Sequence, residues 1–87
     1  MEEKYSGLIG EEMSLSKVSK ALIEIGCSDM GDGGNLEENF NNGSLSVSFY
    51  DEETEQREEL VVEFDVIKVD KDYMFNCIVK VTDIWQV

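Results

Sequence analysis

Between Tyr50 and Leu60 the chain reads Asp51-Glu52-Glu53-Thr54-Glu55-Gln56-Arg57-Glu58-Glu59, six carboxylates within nine residues. Carboxylates can move protons, grip divalent cations or present negative charge to a partner, and the rest of the chain decides among these uses. Proton transfer near neutral pH most often relies on histidine, and the sequence has none. Its one arginine, Arg57, is the sole guanidinium for holding a phosphate or an oxyanion. Catalysis would fall to carboxylates, lysines and tyrosines alone, so no enzyme activity is expected.

Metal chemistry fares no better. Glu63 and Asp65 share one face of a strand, a pair able to reach a divalent ion, yet a solvated polar strand face accounts for the same pattern. Cys27 and Cys77 have no histidine with which to complete a zinc tetrahedron. The stretch from Asp29 has a glycine, Gly34, at its sixth position and Leu36 at its eighth, as calcium loops do. Its third and fifth positions are Gly31 and Gly33, without side-chain ligands, and its twelfth is Phe40, where a bidentate glutamate belongs. No Gly-Lys-Ser/Thr follows Gly31-Asp32-Gly33-Gly34, so these glycines do not form a phosphate cradle. Neither a metal nor a cofactor is expected.

Charge presentation remains. The formal net charge is -13 over 87 residues, a balance that attracts cationic surfaces and repels nucleic acid and anionic membrane. No apolar run approaches the roughly 18 residues of a membrane span, and Met1-Glu2-Glu3-Lys4 lacks the basic start of a secretory signal. A cytoplasmic location is expected, with Cys27 and Cys77 as two buried thiols and no disulfide.

The elements that must position these acids form one small domain over residues 1–87. From Met13 to Ile25 the residues Met13, Leu15, Val18, Ala21, Leu22 and Ile25 recur at helical spacing. Ser14 or Ser16 serves as N-cap, and Gly26 suits the left-handed residue that closes a helix. Residues 27–43 are a Gly/Asn-rich connecting loop in which Leu36 to Phe40 is predicted to form a short strand before the turn Asn41-Asn42-Gly43. Three strand patterns follow: Leu45, Val47 and Phe49 alternate with serines; Leu60, Val62, Phe64 and Val66 oppose Glu63 and Asp65; Phe75, Cys77, Val79 and Val81 oppose Asn76, Lys80 and Thr82. Residues 51–59 form an acidic inter-strand loop, and Asp70-Lys71-Asp72 turns the last two strands into a hairpin. The predicted fold is α+β, one amphipathic N-terminal helix packed on a three- to four-stranded antiparallel sheet in an α-β-β-β meander. Leu15, Val18, Leu22 and Ile25 are expected to cover Val47, Val62, Phe64, Phe75 and Val79.

That arrangement leaves Val61, Ile67, Val69, Met74, Ile78 and Ile84, with Glu63, Asp65 and Lys80, on the far side of the sheet. An apolar patch rimmed by acids has the character of a protein-binding face. The expected partner-binding set is Asp51, Glu52, Glu53, Glu55, Glu58, Glu59, Glu63 and Asp65, with Val61, Ile67 and Ile78 as the desolvated anchor. The expected partner is a basic protein, in particular a nucleic-acid-acting enzyme whose phosphate-binding groove the carboxylates occupy. An immunity protein against a nuclease toxin and a phage-borne inhibitor of a defence nuclease such as a CRISPR effector both fit that size, charge and architecture. The chain itself is expected to bind neither nucleic acid nor membrane. The competing expectation is a non-catalytic homodimeric or accessory assembly subunit that packs through the outer sheet face. Independently of function, the N-terminal segment, Tyr5 to Ile9, folding across that face would also account for its apolar residues.

Overall fold

The computed structural model describes residues 2–32 and 34–87. Met1 and Gly33, and with Gly33 the fifth position of the calcium-loop comparison, lie outside the described residues. The chain begins with a short helix, α1 (Glu2–Tyr5), and a 3-10 turn at Ser6–Leu8, then enters strand β1 (Glu12–Ser14) and helix α2 (Leu15–Glu24). A 3-10 turn at Met30–Asp32 leads to α3 (Leu36–Asn41). Three longer strands follow, β2 (Ser44–Asp51), β3 (Gln56–Lys68) and β4 (Ile78–Gln86). All pairings are antiparallel and the sheet order is β1-β4-β3-β2. The fold is thus α+β, with β2, β3 and β4 as a meander and β1 added on the far side of β4.

The amphipathic helix starts two residues later than its apolar pattern. Met13 is already in β1, opposite Val79, and Ser14 caps α2 by accepting a hydrogen bond from the Lys17 backbone N–H at 3.2 Å. After Ile25 the chain reverses at Gly26, whose φ of +103° is a conformation that side chains with a Cβ resist. The apolar stripe Leu15, Val18 and Leu22 is fully buried against Val47, Val62, Phe64 and Val79, and Ile25 and Phe75 pack at the margin of that cluster.

Leu36 to Phe40 is helical, not a strand. Leu36 and Phe40 stand one turn apart and turn inward together, with the Phe40 ring 5.6 Å from that of Phe64, and Glu37 and Glu38 lie in the first turn where the helix dipole favours acids. The chain then returns through Gly43, whose φ is +80° and whose carbonyl accepts from the Phe64 N–H at 2.9 Å. The segment before α3 closes the edge of β2: Ser28 N–H donates to the Ser48 carbonyl at 2.7 Å, and the Ser28 hydroxyl accepts from Ser48 N–H at 3.0 Å.

Residues Met74–Asn76 form a 3-10 turn, so the last strand begins at Ile78, and Phe75 and Cys77 of the expected strand row precede it. Asp70 organises this connection, its Oδ1 accepting from the N–H groups of Asp72 at 2.8 Å and Tyr73 at 3.1 Å. Those two backbone bonds hold the Asp70 carboxyl below its usual range. Cys27 and Cys77 are free, buried thiols, and burial pushes the Cys27 thiol upward. Among the described residues no helix is long and apolar enough to cross a membrane, and no group of three or more histidine, cysteine, aspartate or glutamate side chains converges as a metal site would require.

Candidate partner-binding face

Along β2 and β3 the pleat sorts side chains cleanly. Leu45, Val47 and Phe49 and their partners Val62, Leu60 and Glu58 point toward α2, while Ser44, Ser46, Ser48 and Tyr50 and their partners Glu63, Val61, Glu59 and Arg57 point away. No outward position on β2 or β3 is buried. Tyr5 of α1 joins the buried cluster that contains the α2 stripe, so the N-terminal segment packs with the helix and does not fold across the opposite face. Burial raises the Tyr5 phenol above its usual range, and the negative charges of Glu2 and Asp83 push it further in the same direction.

The acidic run is not one loop. Only residues 52–55 form the turn, with Glu55 at a φ of +55°, and Asp51 Oδ1 accepts from the Glu53 N–H at 2.9 Å. From Gln56 onward the chain is strand, and its alternation divides the remaining acids. Glu59 joins Glu63 and Asp65 on the open face, whereas Glu58 stands opposite Phe49 on the helix side and is half-buried. The acids expected to bind a partner therefore separate into a hairpin tip, Asp51, Glu52, Glu53 and Glu55, and a track along β3, Glu59, Glu63 and Asp65. At ~3.3 Å per residue the eight steps from Glu55 to Glu63 extend the acids over roughly 26 Å.

Two β-bulges change which apolar residues reach that track. Glu63 is opposite Asp83 and Phe64 opposite Val81, which leaves Thr82 as an extra residue in β4; Val66 is opposite Val79 and Lys68 opposite Ile78, which leaves Ile67 as an extra residue in β3. Beyond Thr82 the parity of β4 flips. Ile84 turns inward and is 4% exposed, and Trp85 turns outward and is 43% exposed. Ile84 is thus a core residue and not part of the open face. Met74 packs against the core from the 3-10 turn, Val69 lies in the connection beyond β3, and Ile67 is exposed on its bulge. Val61 is half-buried at the centre of the open face, and Ile78 is half-buried near the far end of β4 between Ser14 and Lys68. Val61 is near the Glu59–Glu63 track, and Ile67 and Ile78 are not.

Trp85 and Asp83 are the residues that sequence alternation missed. Trp85 stands directly across from Val61 and donates its indole N–H to Glu63 Oε2 at 2.9 Å. Asp83 stands directly across from Glu63, a like-charge pair that costs stability. One row along the same face, Glu12, Lys80 and Asp65 alternate in sign across β1, β4 and β3. The face therefore holds one row in which a lysine stands between two acids and one in which two acids meet with no cation.

No protein-family model, curated protein or solved structure matches the chain.

Proposed function

We propose that this chain is a small acidic inhibitor that binds the cationic, nucleic-acid-contacting surface of a partner protein such as a nuclease. One observation carries the reading: the helices cluster on one side of the sheet, and the opposite side presents Glu59, Glu63 and Asp83 around Val61 and Trp85, next to a hairpin tip with four more acids. A folded surface with closely spaced carboxylates can take the place of phosphates in a basic groove, and an aromatic and aliphatic centre supplies the contact area that charge alone lacks. The free thiols Cys27 and Cys77 fit a reducing cytoplasm. Immunity toward a nuclease toxin and phage-borne inhibition of a defence nuclease are the two settings in which such a module acts.

The competing reading is a homodimer or assembly subunit joined through the same face. Stacking two copies there would set Glu59, Glu63 and Asp83 of each against an equally acidic surface, which favours a cationic partner over a second copy. Sedimentation over a range of concentrations separates the two, since a salt-insensitive dimer burying Trp85 would replace the inhibitor reading.

The direct test uses two variant sets in the intact chain. One replaces Asp51, Glu52, Glu53 and Glu55 at the tip with Ser or Asn; the other replaces Glu59, Glu63 and Asp65 on β3 with Gln or Asn. A partner is captured at low salt, eluted with salt and identified, and its affinity and nucleic-acid processing are then measured. Both sets are expected to keep the fold, weaken binding chiefly through the association rate, flatten its salt dependence and relieve inhibition. Unchanged affinity in both sets overturns the proposal.

A further inference from the structure

Trp85 is the only tryptophan in the chain, and it occupies an unusual setting. It lies on an open sheet face, is 43% exposed, and its N–H is already bonded to Glu63. The indole N–H therefore has a carboxylate partner in the free protein. Diagonal to it on β3 are Glu59 and Glu63, and two positions back on β4 is Asp83. Cross-strand and diagonal neighbours on a sheet stand within roughly 5 to 8 Å of one another. A partly exposed aromatic ring thus has three carboxylates as neighbours: Glu63 and Asp83 face each other with no cation opposite either, and Glu59 faces Ser48 with Arg57 two positions along β3 on the same face.

We infer that this cluster is a receptor for an arginine side chain of the partner, the guanidinium lying against the Trp85 ring with its N–H groups turned to Glu63, Asp83 or Glu59. The inference rests on the inhibitor reading above and names the contact at its centre. Four physical points favour this occupant. The quadrupole of an indole attracts cations more strongly than any other side-chain ring. A planar guanidinium can stack and still offer paired donors to a carboxylate, which a lysine ammonium cannot do. The Glu63–Asp83 repulsion is already present in the free protein, so an incoming cation removes a cost as well as adding an attraction. Finally, an exposed aromatic on a sheet can also stack a nucleobase, but here the attached phosphates would meet three carboxylates and a net charge of -13.

Because Trp85 is alone, intrinsic fluorescence reads this one place while calorimetry reads binding anywhere on the molecule. The probes are a short arginine–glycine repeat peptide, its lysine–glycine counterpart and a single-stranded oligonucleotide, each titrated into the full chain at low and moderate salt. The arginine peptide is expected to change Trp85 emission saturably and to bind several-fold more tightly than the lysine peptide. Trp85→Leu is expected to weaken it about five- to thirty-fold by calorimetry. Glu63→Gln keeps an oxygen to accept the indole N–H but removes the charge; it is expected to weaken the arginine peptide several-fold by calorimetry. Circular dichroism of both variants confirms the fold. Salt-sensitive heat with no change in Trp85 emission overturns the arginine receptor and leaves the acidic-surface reading in place. Absence of both heat and emission change overturns the two together. Equal affinity for the arginine and lysine peptides shows point-charge attraction only and also overturns the receptor, as does an emission response to the oligonucleotide in place of the arginine peptide.

Discussion

One sheet presents two faces with opposite logic. Toward α2 the side chains Leu60, Val62, Val79 and Val81 are fully buried, and their apolar neighbours from the helices leave little room for change. Away from α2, the outward residues of β2 and β3 are serines, acids, Arg57, Val61 and Tyr50, none of them buried. The first face makes the fold. The second adds little to it, and its like-charge pair Glu63–Asp83 works against it. A side chain's stability effect should therefore depend on its face more than on its size.

The largest difference is expected between two aromatics. Phe64 is 4% exposed and packs against Phe40, so Phe64→Ala should cost about 3 to 5 kcal/mol in urea denaturation. Trp85 is larger, yet it is half-exposed, and Trp85→Ala should cost roughly half as much or less. Equal losses would mean that something covers the Trp85 face in solution, and the distinction between the faces would fail.

Next comes the backbone that holds α3 against the inner face. Gly43 has a φ of +80°, and a Cβ there would lie 3.0 Å from the Phe64 carbonyl oxygen. Gly43→Ala should cost about 1 to 2 kcal/mol. A neutral outcome would show that the turn into β2 relaxes without disturbing the Phe64 row.

How much of this contrast the sequence reveals follows from what writes a pattern and what does not. The inner face is legible because burial demands apolar residues at fixed intervals: Leu15, Val18 and Leu22 on the helix, Leu45, Val47, Leu60, Val62 and Phe64 on the strands. The cap at Ser14 and the stop at Gly26 are legible for similar reasons, since few residues perform those tasks. The outer face is read correctly only as far as parity holds. Thr82 and Ile67 are bulged, and neither is a glycine that would mark the irregularity, so counting by twos past Thr82 places Ile84 outside and hides Trp85. Leu36 and Phe40 carry a helical spacing, but a stretch rich in asparagine and glycine and only six helical residues long is dominated locally by its turn formers, and tertiary contact with Phe64 decides it.

The carboxylates can be divided by pH. Asp70 holds the β3–β4 connection through two backbone N–H groups, and its folded carboxyl titrates below the ordinary aspartate range of about 3.9. A group with a depressed folded value contributes stability above its unfolded pKa and loses it as pH falls through the folded one. Asp70→Asn keeps an oxygen acceptor at every pH, so below about pH 4 its stability should decline less steeply than that of the parent chain. Parallel curves would mean that the two Asp70 bonds do not favour the charged form.

The smallest effect is also the most discriminating, because it opposes two acids on the same face. Asp65 stands across from Lys80 within the Glu12–Lys80–Asp65 row, so Asp65→Asn removes an attraction and should destabilise by about 0.2 to 1 kcal/mol. Asp83 stands across from Glu63, so Asp83→Asn removes a repulsion and should stabilise by a similar amount. The asparagine oxygen can still accept the 2.9 Å bond from the Ile84 N–H, which isolates the charge as the variable. Added salt should shrink both differences, since screening weakens exposed attractions and repulsions alike. Same-sign effects would show that net charge, and not row-by-row pairing, governs this face. Opposite signs would show that the sheet carries a local excess of negative charge beside Trp85, where an arginine is expected to bind.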